Sequence, residues 1–118
     1  MAEIEVQRVY DTGPRRGKVF LVDRVWPRGL RKDDLALDGW LRDLAPSSEL
    51  RKWFGHRPER WEEFRERYHR ELDGAGDALL PLFDAARRGP VTLLYSARDD
   101  KHNNAVALRD YVLERIRP

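Results

Sequence analysis

Lys18-Val19-Phe20-Leu21-Val22-Asp23 and Val91-Thr92-Leu93-Leu94-Tyr95 are the two stretches on which the fold turns. Each is a short apolar run rich in β-branched and aromatic residues. Such runs are too brief for helices and read as strands buried on both faces. The residues between them carry helical patterns. Two buried strands separated by helices form a parallel pair joined by a helical crossover. The expectation is therefore an α/β fold, with a small, mostly parallel sheet and helices on both faces. That is a Rossmann-like three-layer arrangement. The length of 118 residues fits a single domain over 1–118.

The flanking segments fill in this frame. Ile4 to Val9 alternates as an edge strand should. Asp11-Thr12-Gly13-Pro14 is a turn signal. Leu35 to Leu44 fits either a strand or a helical face, and a short strand followed by a turn is the preferred reading. Ser47 or Ser48 caps a short helix that ends at Gly55. Pro58 opens the clearest helix, because its missing N–H would be unpaired in the first turn anyway. Trp61, Phe64, Tyr68 and Leu72 share one face of it. Glu63 with Arg67 and Glu66 with Arg70 are spaced as ion pairs on the wet side. A further helix runs from about Asp77 to Arg88, with Pro81 arguing for a later start. The last helix buries Ala105, Leu108, Val112 and Ile116.

Composition narrows the function classes. There is no cysteine, so disulfide and thiolate chemistry are excluded. Met1-Ala2-Glu3-Ile4-Glu5 does not read as a signal peptide, and no apolar run reaches membrane-spanning length. A cytoplasmic protein with no membrane partner is expected. The net charge is +2, from 23 basic and 21 acidic residues. That is weak for a dedicated nucleic-acid binder. The charge is uneven, however. Residues 8–32 hold eight basic and two acidic side chains, which puts +6 there and −4 elsewhere. Such asymmetry can mark a surface for an anionic partner. A basic hairpin on a solvated face is the blander and preferred reading.

In parallel sheets, ligands bind beyond the carboxyl ends of the strands. That rule brings Asp23-Arg24-Val25-Trp26-Pro27-Arg28-Gly29 and Ser96-Ala97-Arg98-Asp99 to one edge, though they lie far apart in sequence.

Those segments carry a resemblance. Leu21 to Gly29 resembles a signature of the YeaO-like proteins, the domain of unknown function 488. Ala45 to His56 resembles a second signature, with Pro58 to Phe64 following in order. Thr92 to Asp99, with His102-Asn103, resembles the last. The resemblance spans nearly the whole chain. It implies a compact bacterial α/β protein and no particular activity. Other branches of the wider family carry cysteine after the Leu-Leu pair and a Cys-His-Arg later. Here those positions read Tyr95 and Asn103-Asn104-Ala105. Thiol or metal chemistry does not transfer.

Arg24, Arg28 and Arg98 are the sharpest candidates for holding a ligand. A guanidinium is always charged, and its planar fork grips a carboxylate or phosphate at two points. In this reading Asp23 and Asp99 orient the arginines. The competing reading makes the same pairs structural salt bridges. Trp26 could stack on a ring, although a tryptophan is more often core. His56 and His102 are candidates for proton transfer. Ser96 is a candidate nucleophile if one of those histidines comes within hydrogen-bond reach. Asp99 or Asn103 could cap the last helix, whose N-terminus would favour an anion. No dinucleotide fingerprint or P-loop implies a cofactor. Three histidines, with His69 on a charged helix, do not suggest a metal site.

The leading expectation is a protein that binds or acts on a small anionic ligand at this edge, with its status as an enzyme left open. A structural or protein-interaction module, such as a homodimer, is the alternative. A weak nucleic-acid-binding module ranks third.

Overall fold

Four parallel strands run in the order β1-β4-β2-β3. The computed structural model describes residues 2–116. In chain order the elements are β1 (Ile4–Arg8), β2 (Lys18–Leu21), β3 (Gly39–Trp40), α1 (Ser48–Phe54), α2 (Trp61–Asp73), α3 (Leu80–Arg88), β4 (Val91–Tyr95) and α4 (Asn104–Arg115). The two apolar runs that decide the fold are neighbours, with Phe20 opposite Leu93 and Leu21 opposite Leu94. β1 is an edge strand paired with β4 alone, Ile4 opposite Val91 and Arg8 opposite Tyr95.

The residues after β1 therefore do not form a basic hairpin. β1 and β2 are parallel, with β4 between them. The connection from residue 9 to 17 crosses over β4 instead. Gly17 makes the close approach possible. Its φ is +65°, and a Cβ there would lie 1.8 Å from the Pro90 carbonyl oxygen. Lys18 N donates to that same oxygen at 3.1 Å.

The chain is a three-layer α/β domain. Phe20, Val22, Leu93 and Tyr95 pack with the buried residues of all four α-helices in one core. On the opposite face Val19, Leu21 and Leu94 pack with Val9 and Leu35. Trp26, Leu30, Leu37 and Trp40 close that second core from the segment after β2. The only helical turn in that segment is 3-10, over Lys32–Asp34. The helices expected on this face are thus replaced by one such turn and packed loop. Leu21, Leu93 and Leu94 are fully buried, each stabilising the fold by roughly 1.5–3 kcal/mol.

Local chemistry sets the helix boundaries. Ser47 caps α1, its Oγ accepting from Leu50 N at 3.1 Å. Gly55 ends α1 with φ 55°. Pro58 opens a 3-10 turn that runs into α2. α3 begins at Leu80, one residue before Pro81. Asn103 caps α4 by accepting from Val106 N. Of the two spaced pairs on α2, Glu63 and Arg67 meet as an ion pair. Among the described residues, no helix is long and apolar enough to cross a membrane.

Candidate functional site

Because all four strands point the same way, the chain leaves the sheet four times at one edge. The segments after β1, β2 and β4, together with α1 and the start of α4, surround a cleft of about 910 Å³. That volume lies in the range of small-molecule sites. Asp23, Arg24, Trp26 and Arg28 line it from the segment after β2. Ser96, Arg98, Asp99, His102 and Asn103 line it from the segment after β4, and His56 from the end of α1. The residues singled out in the sequence therefore converge.

Asp23 does not orient an arginine. Its Oδ2 accepts from Ser96 N at 3.0 Å and Ser96 Oγ at 2.7 Å. Its Oδ1 accepts from Asn104 Nδ2 at 3.1 Å, and its backbone oxygen accepts from Trp40 Nε1 at 2.6 Å. One residue thus ties the exits of β2 and β4 to the start of α4 and to β3. Its carboxylate is taken by neutral donors closer in the fold than any guanidinium.

Asp99 likewise pairs with no arginine. Its Oδ1 accepts from the backbone amides of Lys101 and His102 at 2.9 and 3.0 Å. Its Oδ2 lies 2.9 Å from His102 Nδ1. These partners, the Lys101 amide foremost, hold the Asp99 carboxyl below the ordinary aspartate range. Asp99 therefore builds the turn before α4, and Asn103 provides the cap. The His102 ring also meets the edge of Trp61, centroids 5.4 Å apart. Nδ1 is committed, which leaves Nε2 as the ring nitrogen available to a ligand.

Ser96 lacks the histidine partner that a nucleophile needs. Its hydroxyl donates to Asp23 instead. His56 lies exposed at the rim, with a φ of 56° that follows the left-handed Gly55. Trp26 lines the cleft, but its indole is used for packing. Nε1 donates to Leu30 O at 2.7 Å, and the ring meets Trp40 edge-on at 5.4 Å.

The arginines carry the distinctive feature. Among the described residues, no carboxylate lies within ion-pair distance of Arg24, Arg28 or Arg98. Arg24 reaches only the carbonyl oxygens of Ala45 and Pro46, at 3.3 and 3.4 Å. The structural salt bridges considered for these residues are thus absent. Nor are there three or more His, Cys, Asp or Glu side chains arranged to hold a metal among the described residues.

Sequence reasoning missed Arg8, Tyr10, Arg51, Lys52 and Asn104, which also line the cleft. Arg8 Nε donates to Ala97 O at 3.1 Å, its guanidinium 4.8 Å from the Tyr10 ring centre. Tyr10 Oη donates to Arg28 O at 2.8 Å, which joins the exits of β1 and β2. The signal was available for Arg8 and Tyr10. A parallel first strand must end at the same edge as the others. Arg51 and Lys52 read only as cations in the last turn of a helix, a common position for them.

Comparison with known proteins adds the following. The family described as the inactive DUF488-N3 subclade matches residues 3–118. The uncharacterized protein YeaO of Escherichia coli K12 is 44% identical over 110 residues, covering 92% of this chain and 96% of that protein. The uncharacterized protein Rv3073c of Mycobacterium tuberculosis H37Rv is 43% identical over 106 residues, 89% of each chain. No solved structure matches the chain.

Proposed function

We propose, from the premise that this chain belongs to the YeaO-like proteins of the inactive DUF488-N3 subclade, that its cleft binds a small anionic ligand without converting it. The observation that carries this reading is the set of cleft arginines with no counter-charge. Arg24, Arg28 and Arg98 supply guanidinium forks suited to phosphate or carboxylate. The start of α4 faces the same cleft through Asn103 and Asn104 and adds the positive end of its dipole. His102 offers Nε2 to the ligand as a hydrogen-bonding group.

Binding without turnover agrees with the word inactive in the family's description. It agrees also with the commitment of Ser96 to Asp23. In this reading the protein acts as a cytoplasmic sensor or carrier of its ligand.

A thermal-shift screen of phosphates, phosphosugars, nucleotides and carboxylates tests the proposal. A ligand at about a hundred times its dissociation constant adds roughly 2.7 kcal/mol to the folded state. The shift is expected to vanish in Arg24→Ala and Arg98→Ala and to persist in Arg16→Ala, whose side chain is paired with Glu3 away from the cleft. An undiminished shift in folded Arg24→Ala and Arg98→Ala proteins would sink it. Product formation from the same ligand would overturn the binding-only part. No shift with anything, together with unstable arginine variants, would point to a structural module.

A further inference from the structure

We infer that the ligand of this cleft is a small molecule bearing two or more phosphoryl groups. The inference rests on the anion-binding reading above and goes on to fix the chemical class. Six cationic side chains line the one cleft: Arg8, Arg24, Arg28, Arg51, Lys52 and Arg98. Among the described residues, none of the six has a carboxylate within ion-pair distance. The cleft's two acids, Asp23 and Asp99, leave a formal surplus of four positive charges.

A phosphate monoester carries about −1.5 to −2 at neutral pH. One such group leaves half of that surplus unanswered. Geometry gives the same result as charge. A phosphate monoester has three peripheral oxygens, enough for about three bidentate guanidinium forks. The six cations come from four separate segments around the opening, namely the exits of β1, β2 and β4 and the helix α1. Six cations are about twice what one tetrahedral group can engage.

The acids of the cleft weigh against a common arrangement for polyphosphates. Magnesium polyphosphate sites hold the metal with one or two carboxylates. Here every carboxylate oxygen of Asp23 and Asp99 already accepts a hydrogen bond or contacts His102 Nδ1. Neutralisation therefore falls to the guanidinium groups. A nucleic-acid strand spreads its charges along a track. The cations here instead ring a single opening.

Isothermal titration of the full chain, in buffer containing EDTA, tests this with three series. One is phosphate, pyrophosphate and tripolyphosphate. Another is adenosine mono-, di- and triphosphate. The third is a ten-nucleotide single strand. Affinity is expected to rise about tenfold with each added phosphoryl group. The double variant Arg51→Gln, Lys52→Gln changes only exposed residues of α1. It is expected to flatten the gradient, whereas Arg16→Gln, whose side chain is paired with Glu3 away from the cleft, is expected to leave the gradient intact.

A flat series, with mono- and triphosphate equal, overturns the inference and leaves the anion-binding reading standing. So does a gradient unchanged in the double variant, or a strand that binds more tightly than any small molecule. Failure of every compound in the three series to bind overturns the inference, and the anion-binding reading falls with it only if the carboxylates of the thermal-shift screen give no shift either.

Discussion

The two ends of the sheet treat the same kind of residue in opposite ways. At the amino end, Arg16 pairs with Glu3 at 2.7 Å and Glu5 at 3.7 Å, and Lys18 meets Asp38 at 3.8 Å. At the carboxyl end, Arg8, Arg24 and Arg28 line the cleft with no carboxylate partner among the described residues. All five belong to the one basic stretch between residues 8 and 32. A run of like charge in sequence is therefore not one surface. The parallel topology deals its members alternately to the two ends, where one set is neutralised and the other is kept available.

The sharpest way to break this comparison is at the amino end, which depends on close backbone packing. Gly17→Ala places a methyl group against the Pro90 carbonyl at a left-handed φ. It is expected to cost about 3 kcal/mol. A lowered urea midpoint at unchanged slope checks it, and a wild-type midpoint would show that the crossover is not constrained there.

Next in size is the clamp at the carboxyl end. Asp23→Ala removes the acceptor for Ser96 N, Ser96 Oγ and Asn104 Nδ2. The expected loss is about 2–3 kcal/mol by denaturant unfolding. A loss under about 0.5 kcal/mol would mean that the exits of β2 and β4 and the start of α4 are held together by packing alone.

The smallest effect is a pH dependence. The Asp99 carboxyl is held below its usual range by the Lys101 amide, then by His102. A depressed carboxylate contributes stability that is fully present above its unfolded value near 3.9. That contribution is lost as the pH falls through the lower folded value. The stability gap between wild type and Asp99→Asn should thus be constant above about pH 5 and shrink below about pH 4. A gap that persists undiminished at pH 2 contradicts the assignment.

The strands β2 and β4, the caps of α1 and α4 and the face of α2 could all be read from the sequence. Each is set by a local pattern: an apolar run, a Ser or Asn before a helix, a spacing of three and four. The convergence of Arg24, Arg28, Arg98 and His102 was also legible, since it follows from parallel strands alone. What could not be read were the partners. Asp23 and Arg24 are adjacent, which suggests cooperation, yet Asp23 turns to Ser96 and Asn104 across more than seventy residues. No spacing rule encodes that choice, because it depends on how α4 returns to the sheet. The second face was misjudged for a related reason. Trp26, Leu30 and Leu37 cover it from loops, and apolar residues in loops have no period to detect.

The strand order also has a consequence for how the molecule is made. β1 pairs only with β4, and β2 has just the two-residue β3 beside it until β4 arrives. A nascent chain that has emerged as far as Gly89 holds its first strand with nothing to bind. The sheet closes only when Val91–Tyr95 slips between two strands synthesised long before. The keystone is laid almost last, and the cleft exists only once it is in place.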